Sequence, residues 1–256
     1  MAYPNLKNKH SYESFFSPQE FINYMKRKDL MPQFKIPEGV IFCYQRTLLK
    51  YILETEKTEK IDFFAGEFYL LDRDGQKLAV SAKLGIGPST VSTIIEELNA
   101  LGVKKFISIG TAGGLQKDLK VGDIVVCNKA IRDEGVSYHY LKDSKYAYPS
   151  FELTEKLKKN LDKMGLSYKE GISWTIDAPY RETVQELKTY QKEGVLTVEM
   201  EAAALAAIAY CRKFDFATAF TISDSLAELV WNPQFKSDKT KNGLEGLYKA
   251  AVATLL

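Results

Sequence analysis

Short apolar runs alternate along the chain with stretches in which apolar residues recur every three or four positions, the pattern of strands alternating with amphipathic helices. Pro18 to Lys28 predicts a helix with Phe21, Ile22, Tyr24 and Met25 as its apolar residues. Val40 to Cys43 suits a buried strand and leads into a helical stretch from Arg46 through Ile52. Phe63 to Leu71 and Lys77 to Ala82 read as two strands joined across Asp72, Arg73, Asp74 and Gly75, where Asp-Gly is a hairpin signal. From Pro88 a helix follows, with Val91, Ile94, Ile95, Leu98 and Leu101 on one face. Lys104 to Ile109 and Val121 to Cys127 predict strands, about 151–164 a lysine-rich helix, Trp174 a short strand-like segment, and Arg181 to Glu193 an exposed charged helix. An alanine-rich helix from Met200 to Arg212, a strand from Phe216 to Ile222 and a terminal helix from Leu244 complete the series. Alternation with adjacent strands in two places implies a single α/β domain with a mixed central sheet flanked by helices. Residues 1–38 are polar and aromatic and read as an N-terminal extension packed on the body, residues 39–256.

Composition narrows the function classes. The chain has 256 residues, 45% of them hydrophobic, enough to bury one core. Its 35 basic and 33 acidic residues nearly cancel, which argues against nucleic acid or an anionic membrane as partner and leaves a small anionic substrate open. Cys43, Cys127 and Cys211 lack the paired spacing of a zinc or redox motif and read as reduced packing residues. The N-terminus has no apolar signal region, and the longest nearly apolar run, Ala202 to Cys211, is far short of a membrane span, so a cytoplasmic location is expected.

Four features suit chemistry, and each has a plainer reading. Gly110, Thr111, Ala112, Gly113 and Gly114 follow a strand, where backbone N–H groups and the Thr111 hydroxyl can meet an oxyanion; the alternative is a ligand-free glycine turn. The dinucleotide fingerprint is disfavoured, because the segment leads into another strand instead of a helix. Gly85 to Ser89 either presents a helix N-terminus to an anion or simply caps the helix. Glu199 and Glu201 flank Met200 where a strand passes into a helix, so one can face a sugar while the other caps. Asp224 follows an apolar strand and suits a general acid, or caps the next turn together with Ser223. His10 and His139, the only histidines, are too far apart to suggest a metal site.

Taken together, the segments Gly85 to Ser89, Ile109 to Leu115, Val121 to Val125 (Val-Gly-Asp-Ile-Val), Val198 to Ala204 (Val-Glu-Met-Glu-Ala-Ala-Ala) and the pair Ser223 and Asp224 resemble, in order and spacing, the nucleoside phosphorylase I family over about residues 40–256. The resemblance implies a three-layer α/β/α fold and cleavage of the bond between ribose and base, with phosphate as co-substrate and no metal or organic cofactor. It places phosphate at Gly110 and Thr111, ribose at Met200 and Glu201, and the purine N7 at Asp224. Positive charge builds on the sugar during such cleavage, so an anion beneath it and an acid at the base both stabilise the transition state.

The family pattern is incomplete in two places. Relatives that use phosphate carry arginines where this chain has Leu48 and Ser108, so Arg46, or Arg73 or another cation from a neighbouring subunit, is the expected replacement. At the base, Pro179 stands where many relatives have a stacking Phe; Tyr180 is then the candidate ring and Arg181 the candidate donor to a carbonyl of the base. Ser223 and Asp224 resemble the purine branch, whereas Asp133 to Tyr140, with His139, resembles the uridine branch. The favoured expectation is phosphorolysis with purine ahead of uracil. A phosphate-independent nucleosidase and a catalytically silent nucleoside-binding scaffold are the alternatives. The family commonly forms dimers or trimers of dimers, and His10 is the candidate for a neighbour's contact to the 5′-hydroxyl of the ribose.

Overall fold

A computed structural model describes residues 4–62, 66–73 and 75–256, without the side chains of Arg73 and Gln76; the expectations made at Phe63, Asp74 and the Arg73 side chain fall outside the described residues. Its strands are β1 (Gly39–Cys43), β2 (Thr58–Ile61), β3 (Glu67–Arg73), β4 (Gln76–Ala82), β5 (Lys105–Gly114), β6 (Ile124–Asp133), β7 (Tyr146–Ala147), β8 (Tyr168–Ile176), β9 (Thr197–Glu199), β10 (Asp215–Ser225) and β11 (Asn232–Pro233). Its helices are α1 (Pro18–Arg27), α2 (Arg46–Thr55), α3 (Pro88–Ala100), α4 (Phe151–Lys163), α5 (Val184–Lys192), α6 (Ala202–Arg212) and α7 (Asp238–Leu255).

Period-two alternation along the central strands builds the three layers. Val40 and Phe42 of β1, Phe106 of β5, and Phe216 and Phe220 of β10 pack on the side of α3 and α6. Ile41, Cys43, Ile107, Ile109, Ala217 and Ala219 pack on the side of α2, α4 and α7. Alanine at most inward positions of α6 lets that helix lie close on the sheet, with Ala202 to Ala209 all buried. In α1, Ser17 and Glu20 form a reciprocal capping box, Ile22 is buried, and the helix packs on α3.

The sheet is mixed, as the alternation implies, and part of it also closes on itself. β5 pairs with β1 and β10 in parallel and with β9 antiparallel; β9 and β6 flank β8 in parallel; and β6 returns to β10 antiparallel. Strands β5, β10, β6, β8 and β9 thus form a ring from which β1, β4, β3 and β2 extend as an open sheet. The hairpin between β3 and β4 forms at the expected place, with Gly75 at a φ of 85°.

Several elements differ from their expected bounds. β5 continues through Gly114, so the glycine segment is strand and not a loop beyond one. Arg181 to Glu193 divides into a 3-10 turn, Pro179–Arg181, and α5, because Thr183 caps a new helix with Glu186. The helix expected from Met200 begins at Ala202, and the terminal helix begins at Asp238, where Ser237 accepts from the Thr240 N–H behind a polar first turn.

Candidate active site

β1, β5 and β10 run parallel side by side, so their carboxyl ends converge, the usual place for a ligand in an α/β sheet. A cavity of about 450 Å³ lies there, bounded by Tyr44 and Gln45 after β1, Gly110 to Gly113 of β5, Val198 to Glu201 at the β9–α6 junction, and Ser223 and Asp224 of β10.

At one end Gln45 donates to the Thr111 hydroxyl at 3.0 Å, while the Tyr44 and Ser108 hydroxyls lie 3.1 Å apart. Burial, and then the negative charge of Glu201, hold the Tyr44 hydroxyl well above its ordinary pKa, so it is a neutral donor. The Gln45 side-chain oxygen is buried without a hydrogen-bond partner among the described residues. Gly110 and Thr111 line the same end of the cavity as these amide and hydroxyl groups. Arg46, expected to replace the absent guanidiniums, is exposed at the start of α2 and is not among the cavity-lining residues. Leu48 is a buried residue of α2, packed into the core. No lysine, arginine or histidine is among the described residues lining this cavity.

The glycines of β5 serve close approach. A Cβ on Gly113 would lie 2.4 Å from Leu226 Cδ1 and 3.0 Å from Val198 Cγ1, and one on Gly110 would lie 3.3 Å from the Tyr44 ring. Side chains of the cavity wall thus rest directly on this strand's backbone.

Glu199 and Glu201 both line the cavity but have different partners. Glu199 is buried and accepts from Thr175 Oγ1 at 2.5 Å, Ser173 Oγ at 3.2 Å, and the backbone N–H groups of Glu201 and Ala202 at 2.8 Å, so it caps α6 and ties it to β8. Glu201 lines the cavity beside Met200, and its Oε1 accepts from the Gly87 N–H at 2.6 Å. The group met by the N-terminus of α3 is therefore the chain's own carboxyl. Burial, with repulsion from Glu199, raises the Glu201 pKa to about 8.

At the far end Asp224 is buried beside a bulge that breaks the register of β10 between Ile222 and Asp224. Ser223 Oγ donates to its Oδ1 at 2.7 Å and Trp231 Nε1 to its Oδ2 at 3.0 Å. β11 pairs back on Asp224 and Ser225, which carries Trp231 and Phe235 over the cavity. Pro179 and Tyr180 line this end, Tyr180 with its ring fully exposed at the mouth. Arg181, expected here as a donor to the base, is exposed and lines a separate surface hollow with Asp133, Asp177 and Glu186, because the 3-10 turn directs it away. The residue that does line the cavity from this turn is Glu182, whose pKa burial and the neighbouring Asp224 raise to about 7.

Sequence reasoning missed Tyr44 as a cavity residue, along with Gln45, Glu182, Leu226, Trp231 and Phe235. The one available signal was the pair of aromatics, Trp231 and Phe235, in a polar segment soon after Asp224.

Neither histidine lines this cavity. His10 and His139 line a second hollow of about 960 Å³ between the N-terminal segment, α3 and α6, and Lys9 Nζ lies 2.9 Å from His139 Nδ1. Of the uridine-like segment, Asp133 accepts from Trp174 Nε1 and the buried Glu134 from backbone N–H groups at Val136 and Ser137, so both secure the local fold. Among the described residues no group of three or more His, Cys, Asp or Glu is placed to hold a metal, and no helix is long and apolar enough to cross a membrane.

Residues 45–253 match the family model of the phosphorylase superfamily. The chain is 29% identical over 225 residues to a DeoD-type purine nucleoside phosphorylase of an Exiguobacterium species, covering 86% of this chain and 93% of that protein. Proteins of the same name are 31% identical over 180 residues in Alkaliphilus metalliredigens (70% of this chain, 76% of that protein) and 36% identical over 154 residues in Caldanaerobacter subterraneus (59% and 66%). The match spans the strand ends, the β9–α6 junction and Asp224, and the chain belongs to the phosphorylase superfamily of enzymes.

Proposed function

We propose that this enzyme transfers the ribosyl group of a purine nucleoside to inorganic phosphate, releasing the free base and ribose-1-phosphate. The observation that carries the reading is the order of groups along one cavity: neutral donors at Gln45 and Thr111, a carboxyl at Met200 and Glu201, and an acidic, aromatic end at Asp224 and Trp231. Phosphate takes the Gly110 and Thr111 end, Glu201 accepts from the ribose hydroxyls, and Asp224 holds the leaving base. As the C1′–N9 bond lengthens, the phosphate oxygen and the Glu201 carboxylate face the positive charge growing on the sugar. Purine is favoured over uracil because the similar proteins carry that name and the uridine-like segment lies outside the cavity lining. No cofactor is needed. His10 lies in a different hollow from Glu201, so its proposed contact with the ribose is made in the cavity of a neighbouring copy, a dimer or hexamer.

A second reading, hydrolysis by water, is favoured by one observation, that no cationic side chain is among the described residues lining the cavity. Incubation with inosine, adenosine and uridine, with and without phosphate, separates the two. Ribose-1-phosphate formed in step with base supports phosphorolysis; base release unaffected by removing phosphate refutes it.

A further inference from the structure

The base end holds two carboxyls in unlike settings. Asp224 is a double acceptor: Ser223 and Trp231 each donate to one of its oxygens, an arrangement that fixes its orientation. Glu182 lines the same cavity, yet its carboxyl makes no hydrogen bond or ion pair among the described residues. It is partly buried, on the short turn that also carries Pro179 and Tyr180, and near enough to Asp224 to feel its charge. A carboxyl with no internal partner, beside a fixed acceptor and within a substrate-sized cavity, is placed to exchange a proton with what the cavity binds.

We propose that Glu182 is a catalytic acid of this site and delivers the proton to the leaving purine, while Asp224 aligns the base. The proposal rests on the purine phosphorolysis reading and names the group that makes the base a good leaving group. In the step, the C1′–N9 bond breaks with its electron pair going to the purine, the Glu182 proton passes to N7, and a phosphate oxygen forms the new bond to C1′. Neutral base and ribose-1-phosphate leave, and the Glu182 carboxylate regains a proton from solvent. Burial and repulsion from Asp224 keep the Glu182 carboxyl protonated in part at neutral pH, with a pKa of about 7.

A purine nucleoside methylated at N7 tests this, because its base is already cationic and departs neutral without a proton. The full chain and its Glu182→Gln variant are assayed for ribose-1-phosphate from inosine and 7-methylinosine across pH 6 to 9, with thermal midpoints recorded for both. Expected is a loss on the order of 100-fold with inosine, the usual scale of general acid catalysis, against a change under about threefold with 7-methylinosine. The variant should also lose the alkaline fall in its inosine pH profile. Equal loss on both substrates shows a role in binding or folding and overturns the proposal; so does unchanged turnover of inosine. Absence of ribose-1-phosphate from either substrate with the unaltered chain overturns the phosphorolysis reading itself, which separates the two failures.

Discussion

Replacing Glu201 with Gln tests whether the ribose is held by a charge or only by a hydrogen-bonding group. Gln keeps a carbonyl oxygen for the Gly87 N–H, so the loop before α3 and the fold are retained. On the proposed reading, what is lost is a carboxylate accepting from the ribose, a hydrogen bond to a charged group worth roughly 1.5–3 kcal/mol, so the ionised enzyme should lead the variant by up to about 100-fold in kcat/KM. That lead depends on pH. With a pKa of about 8 in the free enzyme, Glu201 is roughly three-quarters ionised at about pH 8.5 and only about 1% ionised at about pH 6. The ratio of parent to variant should therefore shrink from about 100-fold towards parity between those two pH values, and because it is a ratio, the Glu182 titration largely cancels. Inosine phosphorolysis at saturating phosphate, followed by base release, gives both numbers. A ratio that stays constant from pH 6 to 8.5 would refute the reasoning, since the Glu201 charge would then carry none of the effect.

Three further outcomes follow from the same geometry. Glu201 and Glu182, and likewise Glu97 with its pKa raised by burial to about 7, bind protons in the folded chain that the unfolded chain has released above about 4.5, so stability of the ligand-free protein should fall as pH rises from about 5 to 8. His139, lowered by burial, pulls the other way but is a single group against several carboxyls; a denaturation midpoint that rises across this window would contradict the burial of the carboxyls. Glu199→Leu strands the N–H groups of Glu201 and Ala202 at the head of α6 and should cost about 2–4 kcal/mol, read as a lower urea midpoint, whereas Glu199→Gln should lose less than half of that. Gln45→Leu should raise the phosphate KM about tenfold by removing a neutral donor beside Thr111, while Arg46→Ala, exposed and outside the cavity lining, should change it less than about twofold; the reverse order in initial-rate kinetics would restore the arginine to the site.

The sequence was legible where structure is local. The short apolar runs of β1 and β4, the 3.6-residue spacing in α3 and the Gly75 turn are set by neighbours in the chain, and their positions follow from it. Ring closure is set by pairings such as β10 with β6, nearly a hundred residues apart, and no local pattern records them. The same distinction governs the site. Motif spacing located Thr111, Met200, Glu201 and Asp224, all of which line one cavity. Which glutamate caps α6 and which bonds to the loop before α3 was not readable from the motif alone, because Glu201 is held by Gly87, 114 residues earlier in the chain. Arg181 was expected in the cavity and Glu182 was missed for a related reason: a 3-10 turn sends adjacent residues to different cavities, and nothing in Pro-Tyr-Arg-Glu specifies which one turns inward.

On the proposed phosphorolysis, the charge balance of the cavity bears on how phosphate binds without the expected arginines. Its lining carries Glu182, Glu199, Glu201 and Asp224 and, among the described residues, no cation. Four ionised carboxyls would repel a phosphate strongly in a site of low dielectric. Burial raises the pKa of Glu201 to about 8 and, with the Asp224 charge, that of Glu182 to about 7, so near neutral pH much of the negative charge of these two is absent, and the neutral donors at Gln45, Thr111 and Tyr44 meet the anion with less opposition. Ionising Glu201 aids the ribose but opposes the phosphate, so the phosphate KM should climb by several-fold, about three to ten, between about pH 7 and 9. Phosphate also loses its own second proton across this range, a change common to any variant, so the comparison is with Glu201→Gln, in which the climb should be distinctly smaller. An equal climb in both enzymes would mean that the Glu201 charge does not reach the anion, and a cation supplied from outside the described lining would then be needed to hold it.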